Sequence, residues 1–291
     1  MGVWQWLQTI FSEGGDRLTD KQLTRLENFA QAVKTATARQ VIHIQALPSA
    51  NLSITDSKFG GYPYVPKNGH IPRDSEGNPF FMVAQINCEQ LPENNIYPKK
   101  GLLQFWIIDG DDLFGMDLEN PCSNAGKRIL YFPELTESLS LDEVKLQYVL
   151  TEEYTPITPY KEIALSFTRR EEGITLSDIN FDRLFTNLWN ETFSDDIKEI
   201  WNLPRETCQI IDKLLLKDPT GHKIGGYPYF TQVDPREEND PHTFLLLQID
   251  TDEVDNKEIL WGDCGVANFF ISPEDLAACQ FGNVLYNWDC S

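Results

Sequence analysis

The sequence predicts an α+β protein built from two related halves, with mixed or antiparallel β-sheets in a pseudo-two-fold arrangement and helices at the periphery. Three observations carry that prediction. Lys58-Phe59-Gly60-Gly61-Tyr62-Pro63-Tyr64 recurs as Lys223-Ile224-Gly225-Gly226-Tyr227-Pro228-Tyr229. The apolar runs 81–87 and 101–107 recur as 245–250 and 265–271 in nearly constant register, and 129–131 recurs more weakly as 284–286. Between the copies, residues 177–216 carry apolar residues at helical spacing. Self-similarity over such distances is a stronger guide to architecture than local propensity. The implied organisation is a helical arm (1–38), a first repeat (39–150), a strand plus helical insert (151–218) and a second repeat (219–291) in one compact body.

The elements follow in order. Residues 3–11 are rich in Trp, Phe and Leu and precede Gly14-Gly15. Thr19 with Gln22 three positions on is a capping box, and Leu23, Leu26, Phe29, Ala30 and Val33 then predict a helix over 20–36. Alternation predicts a strand over 40–46. The first Gly-Gly allows positive φ or a close approach of other backbone, and Pro63 pushes Tyr62 towards extended conformation. Residues 66–79 read as a long loop. Residues 80–88 and 102–108 read as paired strands covered on both faces, with Gln85 and Gln104 set among apolar neighbours. Further strands are expected at 128–132, 146–150 and 163–167. Helices are expected from Ser177, at 195–201 and at 205–216. In the second copy, strands are expected at 244–249, 266–271 and 283–288. A helix starting at Ser272-Pro273 and ending at Gly282 separates the last two.

Composition narrows the function classes. The chain has 24 Lys+Arg against 45 Asp+Glu, a formal net charge of −21. Such a surplus argues against nucleic acid and against an anionic membrane surface, since both reward cationic surfaces. It would attract a basic protein partner. No stretch reaches the roughly 20 apolar residues of a membrane span, and the N-terminus lacks a secretory pattern, so a cytoplasmic location is expected. The six cysteines are scattered without C-x-x-C pairs, which predicts reduced thiols and neither a zinc site nor any other metal centre. Asp109-Gly110-Asp111-Asp112 lacks the full calcium-loop pattern and reads as a solvated turn.

No local catalytic motif is present. Nucleophilic catalysis needs a base within reach of a Ser or Cys, and the chain has four histidines and no G-x-S-x-G elbow. There is no P-loop and no G-x-G-x-x-G, and no cofactor is implied. The remaining candidates are the repeated residues: Lys58, Gly60, Gly61, Tyr62, Gln85 and Gln104, with Lys223, Gly225, Gly226, Tyr227, Gln248 and Asn268. Repeated glycines preserve bends, and buried amides satisfy backbone groups. The alternative is a ligand cleft between the repeats, with Lys and Gln as donors and tyrosines as walls.

The ordered set Lys58–Pro63, then Ala84-Gln85-Ile86, then Gly101-Leu102-Leu103-Gln104-Phe105-Trp106-Ile107 resembles the YwqG-like family of bacterial proteins, over roughly residues 20–291. The resemblance implies a duplicated α+β protein and assigns no activity. Members resemble, in genomic setting, proteins found near secreted-toxin systems, which would suit an acidic, immunity-like binder. Two expectations therefore stand: a non-enzymatic acidic module binding a basic protein, or a small-ligand binder or enzyme using a cleft between repeats.

Overall fold

In this computed structural model the described residues are 19–48, 51–151, 153–215 and 219–291. The predicted aromatic segment 3–11 lies outside them. Helix α1 (Asp20–Ala36) starts at Thr19, whose backbone N–H donates to Gln22 Oε1 at 2.6 Å, the expected capping box. Strands β1 (Arg39–Leu47), β2 (Lys58–Gly60), β3 (Phe81–Asn87), β4 (Leu102–Ile107) and β5 (Lys127–Phe132) follow. Helix α2 (Leu141–Gln147), the long strand β6 (Glu162–Glu172), and helices α3 (Phe181–Phe193) and α4 (Arg205–Leu215) lead to β7 (His222–Gly225) and β8 (Phe244–Asp250). A small hairpin, β9 (Asp252–Val254) and β10 (Lys257–Ile259), precedes β11 (Val266–Ile271), helix α5 (Pro273–Ala277) and β12 (Val284–Asp289).

Ten of these strands form one sheet in the order β12-β11-β8-β7-β1-β6-β2-β3-β4-β5, and each neighbouring pair is antiparallel. The fold is therefore α+β with an antiparallel sheet. At its centre β1 and β6 pair from Arg39 opposite Glu172 to Leu47 opposite Ala164. Outward on each side come a short Lys-containing strand, two buried strands and an edge strand.

Every residue of β3, β4 and β11 is buried, which explains their continuous apolar runs. The sheet curls until its two wings share one core: Phe105 of β4 meets Phe269 of β11 with ring centroids 5.2 Å apart, and Tyr97 Oη donates to Leu246 O at 2.7 Å. A second core joins α1, α3 and α4. Phe29 stands edge-on to Phe185 and Trp189 there, and Tyr227 from the second Gly-Gly segment closes the cluster.

Four sequence expectations are corrected. Residues 146–150 are not a strand. Ser140 N–H donates to Glu143 Oε2 at 2.8 Å in a capping box, so α2 runs to Gln147 and leaves Leu146 82% exposed. Residues 195–201 form only a short 3-10 turn (Ile200–Asn202). The Asn202 side chain accepts from the backbone of Lys198 and Glu199, which competes with helical bonding. Helix α3 begins at Phe181 rather than Ser177, because Asp178 Oδ1 holds the preceding turn by accepting from Asn180 N–H at 2.9 Å. In the last repeat, α5 stops at Ala277, well before Gly282. The β9–β10 hairpin carried no sequence signal strong enough to predict. All six cysteines are free thiols.

Candidate functional site

The site grows from the repeated glycine turn. Gly60 and Gly61 have φ of 61° and 71°, and Gly225 and Gly226 have φ of 71° and 70°. A Cβ on Gly61 would lie 2.7 Å from Glu162 Cβ, and one on Gly226 would lie 2.0 Å from Glu172 Oε1. Both turns thus need glycine twice over, for their left-handed backbone and for the close approach of a β6 glutamate.

The amides frame these turns. Lys58 stands in register with Gln85, and Lys223 with Gln248. Gln85 Oε1 accepts from Tyr64 N–H at 2.9 Å, while its Nε2 donates to Ile54 O and Asp56 O, each at 2.9 Å. Gln248 Oε1 accepts from Tyr229 N–H at 2.8 Å, and its Nε2 donates to Gly221 O at 2.7 Å. Gln104 Nε2 donates to Tyr64 O at 2.7 Å and Asn268 Nδ2 to Tyr229 O at 2.8 Å. The four amides therefore hold backbone in place. One asymmetry follows from a neighbour. Trp106 Nε1 donates to Gln104 Oε1 at 3.2 Å, whereas Phe270 has no donor to offer and Asn268 Oδ1 is buried without a hydrogen-bond partner.

Each lysine faces a glutamate at one end of β6. Lys223 Nζ lies 3.3 Å from Glu172 Oε1, with side chains 0% and 8% exposed. Glu172 also accepts from Tyr227 N–H at 2.6 Å. The helical layer closes over this pair, since Tyr227 Oη donates to Thr37 O at 2.7 Å and the Arg39 guanidinium lies 4.3 Å from the Tyr227 ring centroid. Lys58 Nζ lies 3.6 Å from Glu162 Oε2, but Glu162 is 34% exposed. That pair opens onto a cavity of about 590 Å³.

The cavity's polar lining is Lys58, Lys145, Lys161 and Glu162, and its aromatic lining is Tyr62 and Tyr160. The two tyrosine rings stack at 5.6 Å with an interplanar angle of 27°, and Lys145 Nζ lies 5.7 Å from the Tyr62 centroid. Burial pushes the Lys58 ammonium below the ordinary lysine range, and the facing Glu162 carboxylate opposes that shift. Burial, with Tyr160 beside it, pushes the Tyr62 phenol up. Three ammonium groups against one carboxylate make this a cationic pocket in an acidic protein. Its volume falls within the roughly 300–1,000 Å³ range of small-molecule sites.

Of the residues singled out from sequence, Lys58 and Tyr62 line this cavity. Gly60 and Gly61 form the turn between those two, and Gln85 and Gln104 are buried and hold backbone without lining the cavity. Lys223, Tyr227, Gln248 and Asn268 are buried in the other wing, with Gly225 completing their turn. Gly226 edges a separate cavity of about 380 Å³ beside Arg39 and Ile96, which shares no lining residue with the first. Lys145, Tyr160, Lys161 and Glu162 were missed by sequence reading. They carry no repeat signal: the β2–β6 pairing sets Glu162 opposite Gly60, beside Lys161 and Tyr160, and α2 carries Lys145 to the same cavity.

Among the described residues no three His, Cys, Asp or Glu side chains converge as a metal site, and no helix is long and apolar enough to cross a membrane. The acidic loop ties its own turns: Asp111 Oδ2 accepts from Gly115 N–H at 2.8 Å, and Asp117 Oδ1 from Asn120 N–H at 2.9 Å. No curated protein matches the chain. The model of a family described as a domain of unknown function, DUF1963, matches residues 57–290, which span the glycine turns, both wings of the sheet and the cationic pocket, and the chain belongs to that family.

Proposed function

We propose that this protein binds a small molecule in the Lys58 pocket, and that the ligand carries a flat ring and an acidic group. The observation that carries the reading is the contrast between the two lysine–glutamate pairs: Lys223 and Glu172 are both buried, with only Glu172 edging a tyrosine-free cavity beside α1, whereas Lys58 and the one-third exposed Glu162 both line a cavity of cations and tyrosines. The ring would lie on Tyr62 and Tyr160, and the acid would meet Lys145 and Lys161. Thermal unfolding against a panel of aromatic carboxylates and nucleoside monophosphates tests this. A ligand at 100 times its Kd stabilises by about 2.7 kcal/mol, enough to raise Tm by several degrees. A rise that persists in a Lys145→Ala, Lys161→Ala double variant, or no rise across the panel, overturns the reading.

Within its family we read the chain as YwqG-like and internally duplicated about a pseudo-two-fold axis between β1 and β6. The mirrored strand order and the matched amide hydrogen bonds support that history. A second reading, cytoplasmic capture of a basic protein, is supported by the net charge of −21 and by Trp201, which is 70% exposed. It predicts a stoichiometric basic partner retained from lysate at low salt and released at high salt. Retention indifferent to salt, or to Trp201→Ala, would count against it.

A further inference from the structure

Away from the lysine pocket, the fold joins three side chains whose chemistry no local motif announces. Cys122 Sγ lies 3.6 Å from His242 Nε2, across 120 positions of sequence. On the other side of the ring, His242 Nδ1 lies 2.8 Å from Asp240 Oδ1. A carboxylate on Nδ1 keeps the proton there and turns the Nε2 lone pair towards the thiol, so the order thiol, imidazole, carboxylate is that of an activated nucleophile.

Each member is held in place. Lys127 Nζ donates to the carbonyls on both sides of Cys122, Pro121 O at 3.2 Å and Ser123 O at 2.5 Å. The β12 backbone adds a bond from Tyr286 N–H to Pro121 O at 3.0 Å. Asp240 Oδ1 also accepts from His242 N–H at 2.8 Å, and Arg236 Nη1 donates to His242 O at 3.3 Å. Arg236 is itself fixed by Asp178 at 3.1 Å and Asp234 at 2.6 Å. His242 is buried, while Cys122 is half-buried at the edge of the cluster Phe230, Leu245, Phe270 and Leu285. The thiol is thus reachable, next to an apolar wall, with its base shielded from water.

We propose that Cys122, His242 and Asp240 form an acyl-accepting site for small ester or thioester substrates. The Cys122 sulfur attacks the carbonyl carbon, forming a C–S bond. His242 Nε2 takes the thiol proton and passes it to the leaving alkoxide or thiolate as the old acyl bond breaks. The product is an S-acyl cysteine and a free alcohol or thiol, so atoms and charge balance without an oxidant or a metal. Asp240 is a positioning residue, acting through the ring. Burial pushes the Cys122 thiol up, Lys127 pulls it back and the Asp240 carboxylate adds to the rise.

The test uses p-nitrophenyl acetate as the probe on the whole protein, with nitrophenolate release followed optically and acetylated cysteines located by peptide mass spectrometry. Cys264 is exposed and serves as the internal reference. The expected result is acetylation of Cys122 at least about tenfold faster than Cys264, falling about 100-fold in His242→Gln, the usual range for loss of a general base. The charged groups facing the relay are Lys127 and Asp240, with Arg236, Asp178 and Asp234 behind the ring. Asp240→Asn keeps an oxygen for Nδ1–H but removes the charge, so the midpoint of the pH–rate profile moves to lower pH. A purely structural role would lower the rate at every pH without that movement. Acetylation of Cys122 no faster than Cys264, or a rate unchanged in His242→Gln, overturns the proposal. Should His242→Gln not fold, an unmoved pH midpoint in Asp240→Asn overturns it equally.

Discussion

Ser57 and His222 accept the same hydrogen bond in the two wings of the sheet. Ser57 Oγ takes it from Asn87 N–H at 2.9 Å, and His222 Nδ1 takes it from Asp250 N–H at 3.0 Å. Each residue precedes the buried lysine of its wing, and each satisfies the last backbone donor of the neighbouring strand. An imidazole does the work of a hydroxyl because its other nitrogen is occupied, with Asp252 Oδ2 3.3 Å from Nε2. The unlike pair thus marks a shared structural duty.

The lysine–glutamate pairs differ in burial, and their removal should differ in cost. Lys223→Met leaves Glu172, 8% exposed, without the cation that faces it. We expect a loss of about 3–5 kcal/mol, the usual result of orphaning a buried charge. Lys58→Met leaves Glu162 a third exposed, and water takes up much of its charge, so about 1–2 kcal/mol is expected. Urea unfolding of both variants measures the order, and equal losses would refute it.

Gln85→Ala removes an amide that is 0% exposed and holds three backbone groups. Each group left dry costs about 1–3 kcal/mol, less what water regains, so a loss of about 3 kcal/mol is expected in denaturant titration. A loss below 1 kcal/mol would mean that the turn closes without its clamp.

Gly226→Ala forces a Cβ to within 2.0 Å of Glu172 Oε1 at a φ of 70°. A loss of about 2 kcal/mol or more is expected from conformation and clash together. Gly282→Ala meets nothing within 4 Å and serves as the control, expected within about 0.5 kcal/mol of the parent. Thermal unfolding of the two variants side by side decides the matter.

Lys127 gives stability a pH dependence of known sign. Burial lowers its folded pKa to about 8. The unfolded value is about 10.4. Below the folded value both states carry the ammonium and the folded protein bears the burial cost. Between the two values the folded state sheds the proton first, so stability rises with pH. Relative to Lys127→Met, the parent should gain about 1 kcal/mol between pH 7 and pH 9. A difference that stays flat with pH would show that the ammonium is solvated.

Much of the fold was legible in the sequence, because its signals are local or repeated. The Gly-Gly turns follow from a backbone that tolerates no Cβ, and β3, β4, β8 and β11 from apolar runs long enough to be covered on both faces. The capping box at Thr19 likewise fixes its helix from four consecutive residues. The failures were local conflicts: a capping box at Ser140 outweighed the apolar run 146–150, and the Asn202 side chain took the donors a helix over 195–201 would have used.

The sites are another matter. The sequence singled out Lys58 with Lys223 and Gln85 with Gln248, because the same local patterns recur around them; the sheet register then set each lysine beside its glutamine. Only tertiary structure decided that helices close over Lys223 while Lys58 opens to Lys145, Tyr160 and Lys161, since that depends on where α1, α2 and α4 dock. Tertiary structure alone likewise set His242 against Cys122, through the curl that carries β12 and the loop before β8 up to the loop before β5. Side chains that are distant in sequence and unrepeated leave no periodic trace, and packing brings them together.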